Sequence, residues 1–476
     1  MILAVGLGVA ALLPAAPARA DHVAVIVGDD VSPPKDAAVG LLVAGRGKTV
    51  GPEKAHDALD LDSLTLCKGA RCPIRIFVSL PAAEHHNVRR YAIGIVGGGY
   101  HGLLTSDRTR IPGLVSIYDV APTVRALDRG EEPPLTSRPD SDPGAELRAL
   151  DRRLAEAHDS RGPASYVVFG FGAAFALLAL ALGSPFLGRA ALLVGPVALA
   201  AALGLSALEV ARPRALGLML AAAVGLGAPA LAAAARSRRA LAGALLSIFA
   251  VYLVVLAFST ETSSLAALGP HPDGGVRFYG ISNQVETLLL VPALLGAALL
   301  DQRLLPTIAA LVLVVVGASG LGADGGGLIV FAAGFFFLWL RLRRAPLTVR
   351  NLALAGAAVV AAGLVLVGLD AALGGSSHVT RAVGGGPLGL AGDLAHRWHV
   401  SANGFVSSTD ATIIISVSLV ALVWLALRRP RIATVDAVLV ALAVSLLVND
   451  TPRDVAAYGA LSCAALRFRE EARRVE

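Results

Sequence analysis

The residues best suited to chemistry in this chain stand at the edges of apolar runs. The stretch RFYGISNQVE, Arg277 to Glu286, leads directly into TLLLVPALLGAALL, so Arg277, Tyr279, Asn283 and Glu286 occupy a place where an unsatisfied polar group is costly. Glu286 falls inside the start of the following helix and is expected to turn inward to a partner; snorkelling to the interface is the plain alternative. Asp324 lies in GADGGG, where it either joins a site or caps a helix starting near Gly325. His378 and Arg381, three residues apart in GGSSHVTRAVGGG, suit an anionic group or else a solvated helix face. Asn449 and Asp450 close another apolar run in VNDTPRD, a plain turn by composition. An arginine grips phosphate or carboxylate with two parallel bonds, and a carboxylate or imidazole can act as base. Glu286, Asp324 and His378 are therefore the candidate catalytic groups. Arg277, Tyr279, Asn283, Arg381, Asn449 and Asp450 are the candidate substrate ligands. His396 and His399 repeat the spacing of three, but zinc needs further ligands; no metal and no cofactor is expected.

The elements that must position these residues are membrane helices. The chain is 55% hydrophobic and only 16% charged, with a mean hydropathy of +0.68, outside the range of soluble globular proteins. Its net charge of +6 comes from short arginine runs between apolar segments, which is the habit of membrane loops and argues against nucleic acid as a partner. About eleven segments of spanning or near-spanning length follow residue 164. They lie at Ser165 to Leu187, Ala190 to Glu209, Ala215 to Ala235, Ala240 to Phe258, Val285 to Leu300, Leu304 to Leu321, Gly327 to Leu340, Asn351 to Leu369, Ala411 to Leu427, Ala433 to Val448 and Val455 to Leu466.

The stretch 1–20 has a short apolar core and an Ala18-Arg19-Ala20 ending, and reads as a signal peptide or uncleaved anchor. With the following domain outside, alternate loops place Arg189, Arg236 to Arg239, Arg303, Arg341 to Arg344, Arg428 to Arg431 and Arg467 to Arg474 in the cytoplasm, as the positive-inside rule requires. Arg212 and Arg214 are the exception. All ten histidines fall on the outer side, so the titratable groups face one surface. Gly-broken segments there point to a wet, outward-facing pocket.

Residues 21–130 alternate β-like runs (HVAVIV, AVGLLVA, IRIFVSL, YAIGIVGGG) with turns and a helix near Val120 that Asp119 is placed to cap, which predicts an extracytoplasmic α/β domain. Residues 131–164 read as a proline-rich acidic linker with a short amphipathic helix, Leu147 to His158. The glycines Gly97 to Gly99 read as a tight turn before a phosphate cradle. Cys67 and Cys72 in CKGARC form a disulfide if exported, with a weak metal pair as the alternative.

The run from Thr105 to Leu127, TSDRTRIPGLVSIYDVAPTVRAL, resembles the C-terminal part of alkaline-phosphatase-superfamily domains, and looks most like the reduced form found on polytopic envelope proteins of Gram-positive-type bacteria. That resemblance implies a metal shell of Asp and His with a Ser or Thr nucleophile in active members. Asp29, Asp30, His56, His85, His86 and His101 are the available candidates here, but no Asp-His-Gly signature occurs, so a degenerate, non-catalytic domain is expected. RFYGISNQVE, GADGGG, SSHVTRAV and VND resemble the membrane half of the same family, with Ser282 in place of a Gly and Gln284 in place of a Glu.

The fold expected is thus an α/β extracytoplasmic domain followed by an all-α transmembrane domain, residues 165–476. Its setting is a bacterial plasma membrane, with the C-terminus cytoplasmic. The leading function is binding or processing of a lipid-linked or anionic glycan-type substrate in the outward pocket, with transferase-type chemistry. A transporter coupled through membrane carboxylates, or a receptor using the exported domain, are the alternatives.

Overall fold

The computed structural model describes residues 23–44, 52–61, 67, 72–81, 89–274, 277–346, 408–449 and 451–475, with scattered positions between 348 and 368. An N-terminal α/β region is followed by a mostly helical part. Two compact units result, Met1–Asp151 with Gly274–Val276, and Arg152–Asp273 with Arg277–Glu476.

The first unit is one mixed sheet. Its strands are β1 (Val23–Gly28), β2 (Ala38–Val43), β3 (Ile74–Ser79), β4 (Arg90–Val96), β5 (Leu103–Ser106), β6 (Leu114–Ser116) and β7 (Leu135–Arg138), with α1 (Pro52–Leu59) and α2 (Val120–Arg129) between them. The order is β1-β3-β4-β2-β5-β7, and β6 also pairs with β2. Runs rich in Val, Ile and Leu fill the core through Leu42, Ile76, Val78, Ile93, Ile95 and Leu104, as buried strands require. Helix α2 turns Val120, Val124 and Ala121 inward and ends on Gly130 at φ 66°, whose N–H closes on Ala126 and Leu127.

Three expectations change here. β5 escapes notice because it is short, and β7 lies in the stretch read as linker, pairing antiparallel with β5. The amphipathic helix and the first apolar segment are one element, α3 (Pro143–Ala181); within the first unit its Asp151 accepts from Arg90 Nε at 2.6 Å. Asp119 stands at the start of α2 without a side-chain cap bond, because Ser106 Oγ and Arg108 Nε donate to its carboxylate at 2.7 and 2.6 Å. Thr123 Oγ1 instead donates to the Asp119 carbonyl.

The helical unit continues with α4 (Pro185–Ala207), α5 (Pro213–Ala234), α6 (Arg238–Phe258), α7 (Thr260–Ser264), α8 (Asn283–Leu299), α9 (Leu305–Gly317), α10 (Gly325–Leu342), α11 (Thr409–Leu427), α12 (Ala433–Val448) and α13 (Pro452–Val475). Six helices among the described residues, α3, α4, α5, α6, α10 and α11, are long and apolar enough to cross a membrane, which suggests a membrane protein. The apolar α8, α9 and α12 are shorter, and the segment expected at 351–369 lies largely outside the described residues. Helices α5 and α11 leave most of their apolar windows uncovered, whereas α8 packs against α4, α6, α9, α10, α12 and α13. That central place explains why α8 carries no polar stripe. Surrounded on all sides, it is apolar nearly all round, and only Asn283 and Ala298 are less than fully buried.

The arginines of the last helix are not all free loop charges. Arg467 is 1% exposed and donates to the carbonyls of Pro430 and Arg429 at 2.6 and 2.7 Å. It thereby closes the α11–α12 turn onto α13.

Candidate functional site

The start of α8 is shaped by its approach to the turn between α9 and α10. Gly280 adopts φ 89°, and a Cβ there would lie 2.1 Å from the Gly322 carbonyl oxygen. The Ile281 N–H donates to that oxygen at 2.8 Å, while the Gly322 and Asp324 N–H groups satisfy the Val315 and Val316 carbonyls at the end of α9, each at 3.0 Å. Ser282 then caps α8, its Oγ accepting from the Val285 N–H. Ser282 is thus a helix cap.

This framework gathers Arg277, Asp324, Glu286 and Asn449. Arg277 Nη2 donates to Asp324 Oδ1 at 3.0 Å, with side chains 30% and 1% exposed. Asp324 occupies the first-turn boundary of α10 but makes no side-chain cap bond; its charge still favours the helix N-terminus, and its Oδ2 has no hydrogen-bond partner among the described residues. Glu286 is fully buried. Its Oε1 accepts from Ser445 Oγ at 3.0 Å and its Oε2 from Asn449 Nδ2 at 2.8 Å. It therefore turns inward, and both Arg277 and Asp324 lie close enough to act on it electrostatically.

Glycines make room for these groups. A Cβ on Gly326 would meet Asn449 Oδ1 at 2.4 Å, and one on Gly327 would meet Asp324 Oδ2 at 2.6 Å. The glycine run at the head of α10 therefore allows two polar side chains to lie directly on the helix backbone.

Other residues of the set go elsewhere. Asn283 donates to Thr451 Oγ1 at 2.9 Å, and Tyr279 donates to the Ser319 carbonyl at 3.3 Å. Gln284 donates to Tyr458 OH at 2.7 Å, and Tyr458 donates to Ser165 Oγ at 2.8 Å. His378, Arg381 and Asp450 lie outside the described residues, as do His396 and His399. The expected wet pocket takes another form here. Glu286, Asp324 and Asn449 are at most 2% exposed; Glu286 is met by Ser445 and Asn449, and Asp324 by Arg277. A small cavity of about 20 Å³ is lined instead by apolar groups such as Val168, Leu192, Leu288 and Leu461.

In the α/β unit, Asp29, Asp30, His56 and His101 are exposed, and among the described residues no group of three or more His, Cys, Asp or Glu could hold a metal ion. Gly97, Gly98 and Gly99 all have positive φ, and Gly97 lies so close to the Pro73 carbonyl that a Cβ would come within 1.9 Å. They form a tight turn. Cys67 and Cys72 are joined by a disulfide.

Sequence reasoning passes over Ser445, Thr451, Tyr458, Ser165, His158, Arg161 and Asp273. A signal is present: His158, Arg161 and Ser165 recur at i, i+3 and i+7 on α3, a polar stripe on one helix face. Comparison with known proteins returned no matching family model, no matching curated protein and no matching solved structure.

Proposed function

We propose that this chain is a bacterial cell-envelope membrane protein whose helical unit carries an anionic, lipid-linked or glycan-type substrate together with one proton or monovalent cation. The α/β unit lies outside in this reading, as a non-catalytic alkaline-phosphatase-like domain, and the C-terminus is cytoplasmic. The observation that carries the reading is a charge count. Two buried carboxylates, Glu286 and Asp324, share one guanidinium, Arg277. Among the described residues that leaves one acid without a cation, and an uncompensated buried charge is held only with a proton or a bound cation.

Arg277 supplies the link to substrate. At 30% exposure it can exchange its Asp324 bond for a phosphate or carboxylate on the substrate. Each exchange releases Asp324, so substrate and positive charge move together. Short apolar helices meeting at polar, glycine-broken ends suit such a cycle.

The test uses the full chain in proteoliposomes, with glucose 1-phosphate as the probe anion and a pH-sensitive dye inside. Entry of the probe should carry protons or require sodium. Arg277→Ala should abolish entry of the probe, and Glu286→Gln should abolish the accompanying ion movement. Probe entry indifferent to pH, to sodium and to both substitutions would sink the carrier reading. Conversion of the probe to a new product without entry would favour a transferase.

A further inference from the structure

A second polar cluster stands apart from the Glu286 centre. Asp273, 3% exposed, lies in the segment after α7, and two residues of α3 converge on it. His158 Nδ1 lies 2.5 Å from Asp273 Oδ2, and Arg161 Nη2 donates to Oδ1. With Arg161 donating to Oδ1 and Oδ2 left to accept from His158, the imidazole Nδ1 carries the hydrogen of their bond and Nε2 keeps its lone pair. The His158 side chain is 38% exposed. It thus presents an imidazole fixed at one nitrogen and open at the other, the arrangement of a proton acceptor.

The cluster leads inward. Seven residues along α3 from His158, roughly 10 Å at 1.5 Å per residue, Ser165 accepts from Tyr458, and Tyr458 accepts from Gln284. Gln284 is two residues from Glu286. Asp454 of α13 acts electrostatically on both Arg161 and Tyr458, so polar groups line the seam where α3, α8 and α13 meet.

We propose that the His158–Asp273 pair is the outer proton-loading site of the carrier, which makes the proton its coupling ion. The inference rests on the carrier reading above. His158 takes a proton at Nε2 from the outer solution, and Asp273 stabilises the imidazolium through Nδ1. Asp273 is a positioning residue and does not itself exchange the proton with solvent. The charged and titratable groups around His158 are Arg161 on α3, Asp273 and His271 in the α7–α8 segment, with Asp454 and Arg453 of α13 beyond Arg161. His271 cannot substitute for His158, because burial and then the charges of Arg161 and His158 hold its pKa well below the ordinary histidine value.

Dye-loaded proteoliposomes of the full chain, with glucose 1-phosphate as probe and outer pH stepped from about 8 to about 5.5 across the ordinary histidine range, test the assignment. His158→Gln, at a half-exposed position that folding tolerates, should slow proton entry at least tenfold and remove its dependence on outer pH. Asp273→Asn should keep proton entry but move its pH profile toward acid, because the imidazolium loses its carboxylate. If Glu286→Gln stops ion movement while His158→Gln keeps the wild-type profile, the loading site is overturned and the carrier reading stands. Movement driven by sodium and indifferent to pH likewise overturns the loading site alone. If Glu286→Gln changes nothing, or the wild type moves no ion, both readings fall together.

Discussion

Buried carboxylates occur in both units, and they are handled in opposite ways. Asp119 in the α/β unit is matched one to one, with Ser106 and Arg108 donating to its two oxygens. The bonds tie the loop after β5 to the start of α2, and nothing is left over. Glu286 and Asp324 in the helical unit share a single arginine, and Asp324 keeps an oxygen without a hydrogen-bond partner among the described residues. A complete set of partners makes a buried charge a fastener. An incomplete set makes it a place where a proton, cation or anion can enter.

The largest effect that would test this contrast is at the fastener. Arg108→Ala leaves Asp119, 3% exposed on its side chain, buried without its guanidinium, and should cost about 3–5 kcal/mol. Urea unfolding of the full chain, read by protease sensitivity between β5 and α2, should show it, with transport of the probe unchanged in the folded fraction. A loss below about 1 kcal/mol, the size of a surface pair, would mean that Asp119 is no fastener.

Next in size is Gly280→Ala. The added Cβ would meet the Gly322 carbonyl at 2.1 Å from a φ of 89°, combining left-handed strain with overpacking, for a loss of about 3 kcal/mol. Thermal unfolding of the helical unit should fall accordingly, and the Arg277–Asp324 pair should be displaced. An unchanged transition would show that the turn between α9 and α10 adapts, and that the site is held more loosely than its contacts imply.

Much of this architecture is legible in the amino-acid sequence. Long apolar runs, valine-rich strand runs and the inward turn of Glu286 follow from hydropathy and from the cost of a polar group in an apolar setting. The short β5 and β7 escape such a reading because four residues in a turn-rich stretch carry too little pattern to outweigh their Pro and Gly neighbours. Partner choice is the least readable property. Nothing local in SNQVE says that Gln284 turns to Tyr458, 174 residues away, while Glu286 turns to Asn449. Capping by Asp119 and Asp324 is expected on local grounds, and in both cases a distant arginine wins, since a charge-assisted bond outweighs a neutral cap.

A subtler effect is expected from Glu286→Gln. The amide keeps the shape, can accept from Asn449 Nδ2 and can donate to Ser445 Oγ, while the desolvated charge disappears. Stability should therefore change by no more than about 1 kcal/mol, even though coupled ion movement is lost. Such a split between stability and transport would separate the open cluster from the fastener. A large loss of stability would instead make Glu286 a structural keystone like Asp119.

A last effect concerns pH. His271 sits in the α7–α8 segment at a φ of 64°, and burial, then Arg161 and His158, hold its pKa well below the usual value. The native state thus excludes a proton that the unfolded chain binds once pH drops below about 6.5. The stability contributed by neutral His271 is complete above that pH. It declines as pH falls through the window between the unfolded and the depressed folded value, by at most about 1.4 kcal/mol per pH unit for one proton. Thermal unfolding of the helical unit between pH 7.5 and 5 should follow that sign, and His271→Gln should flatten the curve. If the slope survives His271→Gln, the acid sensitivity does not come from His271, and its exclusion of a proton in the native state is overturned.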